Sequence, residues 1–283
     1  MDQLLEKKYK RLQAIIKSFS EVIVAYSGGV DSSFLLKAAV DTLGDKASAI
    51  LALSPSYPSR EYDQAIKNAK QMGARLDIIE SHEVEDENFL KNPANRCYFC
   101  KSDLYKCIAE FAGKQNVQVL DGSNADDLKD YRPGLKAVKE KGVVSPLQKA
   151  GLTKNEIRLL SKYFGLKTWN KDALACLSSR FPYGEKISKD KLKMVDEMES
   201  FLFRLGFNDI RARHMKEMVK IEVRHDQVNR LFNEETRKKI LIKAKEIGYK
   251  NIAVDLEGYS QGKLNSVINK LPDNINELMP LRK

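Results

Sequence analysis

The chain has 283 residues, 42% hydrophobic and 31% charged, with a formal net charge of +10 and only four cysteines. That length supports one large or two modest domains with a sizeable core, and the composition excludes a disordered chain or a disulfide scaffold. No apolar run approaches the roughly 20 residues that cross a bilayer, and Met1–Lys10 is charged without a signal-peptide core, so a cytoplasmic protein is expected.

In chain order, helical periodicity over 3–18 leads into a strand at 21–26 and a helix at 31–43. Strands at 48–53, 75–80, 117–121 and 143–145 then alternate with helices at 59–72, 101–113 and 153–164. Thr153 and Glu156 form a capping box that starts the last of these, and Gly73 and Gly165 stand where helices should stop. This alternation predicts an α/β fold, a doubly wound parallel sheet over residues 1–170, with its ligand beyond the carboxyl ends of the strands. Residues 166–187, with Pro182 and Gly184, read as an irregular linker carrying functional residues. A helix at 188–205, strands at 209–214 and 218–224, a helix at 234–247 and a strand at 251–255 follow. They predict a smaller α+β domain over 171–283.

The first chemically informative stretch is Glu21-Val-Ile-Val-Ala-Tyr-Ser-Gly-Gly-Val-Asp-Ser-Ser33. An apolar strand runs into Gly28 and Gly29, which let the backbone turn and approach a ligand without a Cβ in the way. Asp31, Ser32 and Ser33 then open a helix whose N–H groups and dipole favour phosphate. No lysine follows the glycines, so this is not the G-x-x-x-x-G-K-[ST] loop. The plain alternative is an ordinary strand-to-helix turn.

Cys97-Tyr-Phe-Cys100 places two thiols three residues apart at the start of a helix, where lowered thiol pKa values are expected. A redox pair, part of a zinc site and part of an iron–sulfur site all remain open. Cys107 shares helical spacing with Leu104, Ile108 and Phe111 and reads as core. Cys176 lies in the irregular Ala173–Tyr183 segment, which helix packing does not explain. If it folds back over the pair, three thiolates leave one metal position for an exogenous ligand. A fourth ligand such as His82 would instead close a zinc site.

Asp121-Gly-Ser-Asn-Ala-Asp-Asp127 follows another strand, and Asp126 is a candidate Mg²⁺ ligand, with Arg132 placed to balance charge on a leaving phosphate. A solvated Asp/Asn/Gly turn is the competing reading. Arg211 and Arg213 alternate on a strand, so both face one side and can grip a phosphate, and Glu222 on the next strand can orient one of them.

The Ser27–Ser33 loop looks like the S-G-G-x-D-S pyrophosphate loop (PP-loop) of the AMP-forming ATP pyrophosphatases. Taken with Cys97–Cys100, Asp121–Asp126, Asp130-Tyr-Arg-Pro-Gly134 and Ala175-Cys-Leu-Ser-Ser-Arg-Phe-Pro-Tyr-Gly184, it resembles the LarE family over nearly the whole chain. These are the sulfur transferases of nickel-pincer nucleotide cofactor synthesis. The resemblance implies a PP-loop, HUP-like fold and ATP-driven activation of the carboxylates of pyridinium-3,5-biscarboxylic acid mononucleotide, with conversion to thiocarboxylates. Ser27, Gly28, Gly29, Asp31 and Ser32 would then hold ATP phosphates with Mg²⁺. Arg211, Arg213, Glu199 and Glu222 would hold the mononucleotide, near Ser179 and Arg180.

Better-known members sacrifice the sulfur of a single cysteine, whereas Cys97, Cys100 and Cys176 together look like the family's iron–sulfur branch. There a [4Fe–4S] cluster on three cysteines carries a replenishable sulfide. The resemblance further implies a small-molecule, nucleotide-like carboxylate substrate, an unspecified sulfur donor and a homo-oligomer, with no membrane or nucleic-acid partner. The rival expectation is tRNA thiolation, since some such enzymes combine the loop with CxxC. An ATP-binding sensor or redox scaffold without turnover is a third.

Overall fold

In a computed structural model that describes residues 2–113, 117–129, 134–172 and 175–260, the chain forms two compact units that divide between Leu177 and Ser178. No helix among the described residues is long and apolar enough to cross a membrane.

The first unit runs α1 (Gln3–Lys17), β1 (Val22–Ala25), α2 (Val30–Leu43), β2 (Ala47–Leu53), α3 (Tyr62–Gln71), β3 (Arg75–Glu80), α4 (Glu87–Leu90), α5 (Arg96–Gly113), β4 (Gln118–Leu120), α6 (Gly134–Glu140), α7 (Pro146–Ala150) and α8 (Lys154–Tyr163). All pairings in its sheet are parallel, in the order β3-β2-β1-β4, with Val24 opposite Ala49 on one side and Leu120 on the other.

β1 shows why this sheet is covered on both faces. Its side chains alternate, and every one of Val22, Ile23 and Val24 is buried. Val22 and Val24 pack with Leu12 and Ile16 of α1, Phe34 and Leu35 of α2, Ala65 of α3 and Leu160 of α8. Ile23 points the other way, to Tyr105 and Ile108 of α5 and Val138 of α6. This is the expected α/β sheet with helices on both sides. The chain leaves β1 toward β2 and β3, then crosses back to place β4 on the opposite edge. The carboxyl end of β1 is therefore the topological switch point, where ligands of such sheets bind.

Two expectations need correction. Residues 143–145 make only one bridge, Val144 to Leu120, because Pro146 follows at once and begins α7. The helix expected from 101 starts at Arg96, one and a half turns earlier, and takes in both cysteines of the pair.

The second unit is the expected α+β arrangement: α9 (Lys189–Arg204), β5 (Arg211–Met215), β6 (Met218–Glu222), α10 (Glu234–Ile247) and β7 (Asn251–Val254). β5 and β6 pair antiparallel, and β7 adds in parallel after the α10 crossover. Leu192, Val195, Met198 and Leu202 form the buried face of α9, which packs on β5 and α10.

Candidate active site

Gly28 sits at φ +66°, and a Cβ there would lie 2.7 Å from the Ala65 Cβ, so both its conformation and the closeness of α3 require glycine. Gly29 is the N-cap of α2 in extended conformation and offers no side-chain cap, which leaves the first-turn N–H groups facing out of the loop. Ser27 and Ser32 are brought together: the Ser27 N–H donates to Ser32 Oγ at 3.2 Å, and the two hydroxyls lie 3.1 Å apart. Asp31 Oδ2 accepts from Lys154 Nζ at 2.7 Å, while Asp31 Oδ1 is buried without a hydrogen-bond partner. Burial pushes the Asp31 carboxyl up, with Lys154 opposing and Asp127 adding to the rise.

The 121–127 turn lies against this loop. A Cβ on Gly122 would come within 3.0 Å of the Ser32 backbone nitrogen. Asp121 is buried and accepts from the Ser123 hydroxyl at 2.7 Å, the Ser145 hydroxyl at 2.5 Å and the Tyr105 hydroxyl at 3.1 Å. Asp126 Oδ2 accepts the Lys154 N–H at 2.8 Å, so one lysine joins Asp126 through its backbone to Asp31 through its side chain. Arg132 lies outside the described residues.

The CxxC expectation changes in one respect. Because α5 begins at Arg96, Cys97 is in its first turn and Cys100 in its second. Burial, not the helix terminus, dominates at Cys100 and pushes its thiol well above the usual value; the charges of Glu83, Cys176 and Cys97 add to the rise. Cys97 and Cys176 thus both act electrostatically on Cys100, and all three belong to the first unit. Among the described residues no group of three or more His, Cys, Asp or Glu side chains stands at metal-ligating spacing. Cys107 is half-buried further along α5. His82 is exposed and its backbone N–H bonds Asp103.

Leu177, next to Cys176, donates its N–H to the Ser56 carbonyl at 2.7 Å. The Ser56 hydroxyl in turn donates to Glu83 at 2.8 Å, and Ser54 and Ser81 also bond this carboxylate, which is 1% exposed. Glu83 has no lone sequence signature. Its environment comes from three hydroxyls that tertiary structure gathers, and sequence reasoning missed it. Lys154, Lys171 and Tyr57 were missed for the same reason. Lys171 Nζ donates to the Gly28 carbonyl at 3.1 Å and pairs with Glu61 at 2.7 Å, and the Tyr57 hydroxyl donates to the Ser27 carbonyl at 2.7 Å.

In the second unit, Arg180 and Glu199 form a two-pronged ion pair at 2.7 and 2.9 Å, with both side chains essentially buried. Glu199 also accepts the Ala212 N–H, and Arg180 reaches the Ser179 hydroxyl at 2.8 Å. Glu222 stands opposite Arg211 in the strand register, yet its Oε2 binds Arg213 diagonally at 2.8 and 3.0 Å, and Lys220 takes Oε1. Arg211 keeps no carboxylate among the described residues. It donates to the Ile210 carbonyl and the Tyr259 hydroxyl and stacks 4.3 Å over the Tyr259 ring. Burial and the nearby Arg180 disfavour its charge, which an anion would relieve.

A scan against protein-family models returned no match. The chain is 40% identical over 268 residues to an uncharacterised protein of Synechocystis, covering 94% of this chain and all of that one. It is 32% identical over 243 residues to an uncharacterised protein of Methanocaldococcus jannaschii, covering 84% and 90%. Against the pyridinium-3,5-bisthiocarboxylic acid mononucleotide synthase of Lactiplantibacillus plantarum, identity is 33% over 270 residues, 94% of this chain and 96% of the relative. End-to-end similarity at that level, in a chain whose glycine turn lies at the switch point of a parallel sheet, establishes that the chain belongs to the LarE family.

Proposed function

We propose that this chain is an ATP-dependent, AMP-forming sulfurtransferase that converts carboxylates of pyridinium-3,5-biscarboxylic acid mononucleotide to thiocarboxylates. The observation that carries this is the glycine cradle at the end of β1, in a chain matched along its length by a synthase of the bisthiocarboxylic product. Ser27, Gly28, Gly29, Asp31 and Ser32 hold the ATP phosphates, with open N–H groups of α2 facing them. Lys154 pairs with Asp31 and offsets part of the cost of burying its charge. The unpartnered Asp31 Oδ1 suits a hard cation, so Mg²⁺ fits here, with Asp126 the next carboxylate along. Arg211 and Arg213 hold the mononucleotide, with Ser179 and Arg180 nearby; Glu199 and Glu222 orient the Arg180 and Arg213 guanidinium groups, and Arg211 offers the strongest phosphate contact.

The substrate carboxylate attacks the α-phosphorus of ATP. The P–O bond to pyrophosphate breaks, and an acyl-adenylate forms whose AMP is a good leaving group. Adenylation is what makes replacement of a carboxylate oxygen by sulfur feasible. The donor set of Cys97, Cys100 and Cys176 is soft and one short of four, which fits a [4Fe–4S] cluster, and that group would supply the transferable sulfide. Glu83 and Ser56 position the Cys176 end of this set through Leu177.

The test is incubation of the anaerobically prepared protein with MgATP and the biscarboxylic mononucleotide. AMP, pyrophosphate and a product with the mass gain of oxygen-to-sulfur exchange are expected. Pyrophosphate release dependent on tRNA, or none with any carboxylate, would overturn the assignment.

A further inference from the structure

Three hydrogen bonds in the first unit bear on the phosphate loop and on Cys176, and only the one at Leu177 enters the proposed chemistry. Two of them end on consecutive carbonyls of the phosphate loop. The Ser27 carbonyl accepts from the Tyr57 hydroxyl at 2.7 Å, and the Gly28 carbonyl accepts from Lys171 Nζ at 3.1 Å. The third joins the Leu177 N–H to the Ser56 carbonyl at 2.7 Å, one residue before Tyr57. Cys176 is one residue from Leu177 and five from Lys171, and each of these two is tied to the loop, Lys171 directly and Leu177 by way of Ser56 and Tyr57.

Both ties are stiff. The Lys171 backbone is fixed by Arg158, whose guanidinium donates to the Trp169 carbonyl at 3.0 Å and the Lys171 carbonyl at 2.9 Å. Glu61 holds the Lys171 ammonium from the other side at 2.7 Å. The 54–57 turn is braced by the Ser54 and Ser56 hydroxyls on Glu83 and by Tyr62, which bonds both backbone groups of Ser54 and stacks on Tyr57 with ring centroids 4.6 Å apart. Burial keeps the Tyr57 phenol protonated and hence a donor. Leu177 is 1% exposed. Packed, hydrogen-bonded elements of this kind transmit a displacement where a solvated loop would absorb it.

We propose that Lys171 and Tyr57 are positioning residues that couple nucleotide occupancy of the phosphate loop to the placement of Cys176. This rests on the reading of that loop as the ATP site. The anionic phosphates pull on the backbone of Ser27–Gly29, and the two carbonyls carry that change to the cysteine segment. Binding energy from the nucleotide then sets the sulfur centre in register for the second half-reaction.

The Leu177 amide is itself one of the three bonds, so amide hydrogen exchange of the full chain reads the coupling directly. The Ser33 amide, bonded to the Gly29 carbonyl at 3.0 Å, reads loop occupancy separately. With saturating MgATP the unsubstituted protein should show slowed exchange at both, by about fivefold or more at Leu177, the lower end of ordinary site-to-site coupling. Lys171→Met and Tyr57→Phe should each keep the Ser33 response and reduce the Leu177 response to less than about twofold, while Lys171→Arg retains it. If Lys171→Met does not fold, Tyr57→Phe, which deletes a single hydroxyl, decides. A Ser33 response without a Leu177 response, or a Leu177 response unchanged in the variants, overturns the coupling and leaves the ATP site standing. No response at either amide would show that the loop reading itself is wrong.

Discussion

Replacing Gly28 by alanine tests the loop at its tightest point. The residue sits at φ +66°, where an L side chain costs about 1 kcal/mol. The new methyl would also lie 2.7 Å from the Ala65 Cβ and 3.2 Å from its Cα, so α3 or the loop must move. Overpacking of this kind costs about 1–3 kcal/mol, and the reduced freedom of the unfolded chain returns about half a kcal/mol. The expected loss is about 2–3 kcal/mol, which lowers the melting temperature of a unit this size by roughly 5–10 °C. ATP affinity should fall with it, because the Ser27 and Gly29 backbone shifts. Two controls separate the causes. Gly151→Ala lies in the left-handed helical region, at φ +75° and ψ +25°, with nothing within 4 Å, so it should lose only the strain of about 1 kcal/mol and bind ATP normally. Gly29→Ala, with φ −79° and its nearest contact 3.5 Å away at Ser27 Oγ, should change stability by under about 0.5 kcal/mol. Thermal melts with nucleotide titrations measure all three. A Gly28→Ala protein as stable as Gly29→Ala, with unchanged ATP affinity, would show that the close approach of α3 does not constrain the loop.

Anaerobically purified protein should carry iron, sulfide and a brown chromophore that Cys97→Ala, Cys100→Ala and Cys176→Ala each abolish while ATP binding survives; colour lost only in Cys107→Ala would mean that the ligands are misassigned. Arg211→Ala removes the one strand arginine without a carboxylate, so mononucleotide affinity measured by calorimetry should weaken by about 2 kcal/mol, roughly 30-fold, with little change in melting temperature. His214 is buried beside Tyr249 and Phe181, and burial lowers its pKa below 6.5. The unfolded chain then binds the extra proton in acid, so stability is full above pH 6.5 and falls as pH drops through that value. The loss is at most about 1.4 kcal/mol by pH 5.5, and it should vanish in denaturation curves of His214→Gln.

The parts of this molecule that could be read directly were those encoded locally. Val22–Ala25 is an apolar run ended by two glycines, and Thr153 with Glu156 does form its capping box, so β1, α2 and α8 fall where expected. Arg211 and Arg213 alternate on one strand as their spacing implies, and Glu222 does pair with an arginine, though with the diagonal one. The short helices α6 and α7, of seven and five residues, have too few turns to show a period. α5 starts directly after Asn95, a favourable N-cap residue that sets the helix start five residues ahead of position 101. Lys171, Tyr57 and Glu83 were invisible for a different reason. Lys171 reaches Gly28 across 143 positions of sequence, and Glu83 acquires its serine shell from the turns after β2 and β3. Only the closed fold puts these groups together.

Attack by the substrate carboxylate on the α-phosphorus fixes where its oxygen ends. Labelling that carboxylate with oxygen-18 and analysing the products of a single MgATP-dependent turnover follows the oxygen directly. Label is expected in AMP and none in pyrophosphate, because attack at the α-phosphorus leaves a carboxylate oxygen on the nucleotide when sulfur displaces it. Label in inorganic phosphate, or unlabelled AMP alongside a thiolated product, would contradict attack at that atom.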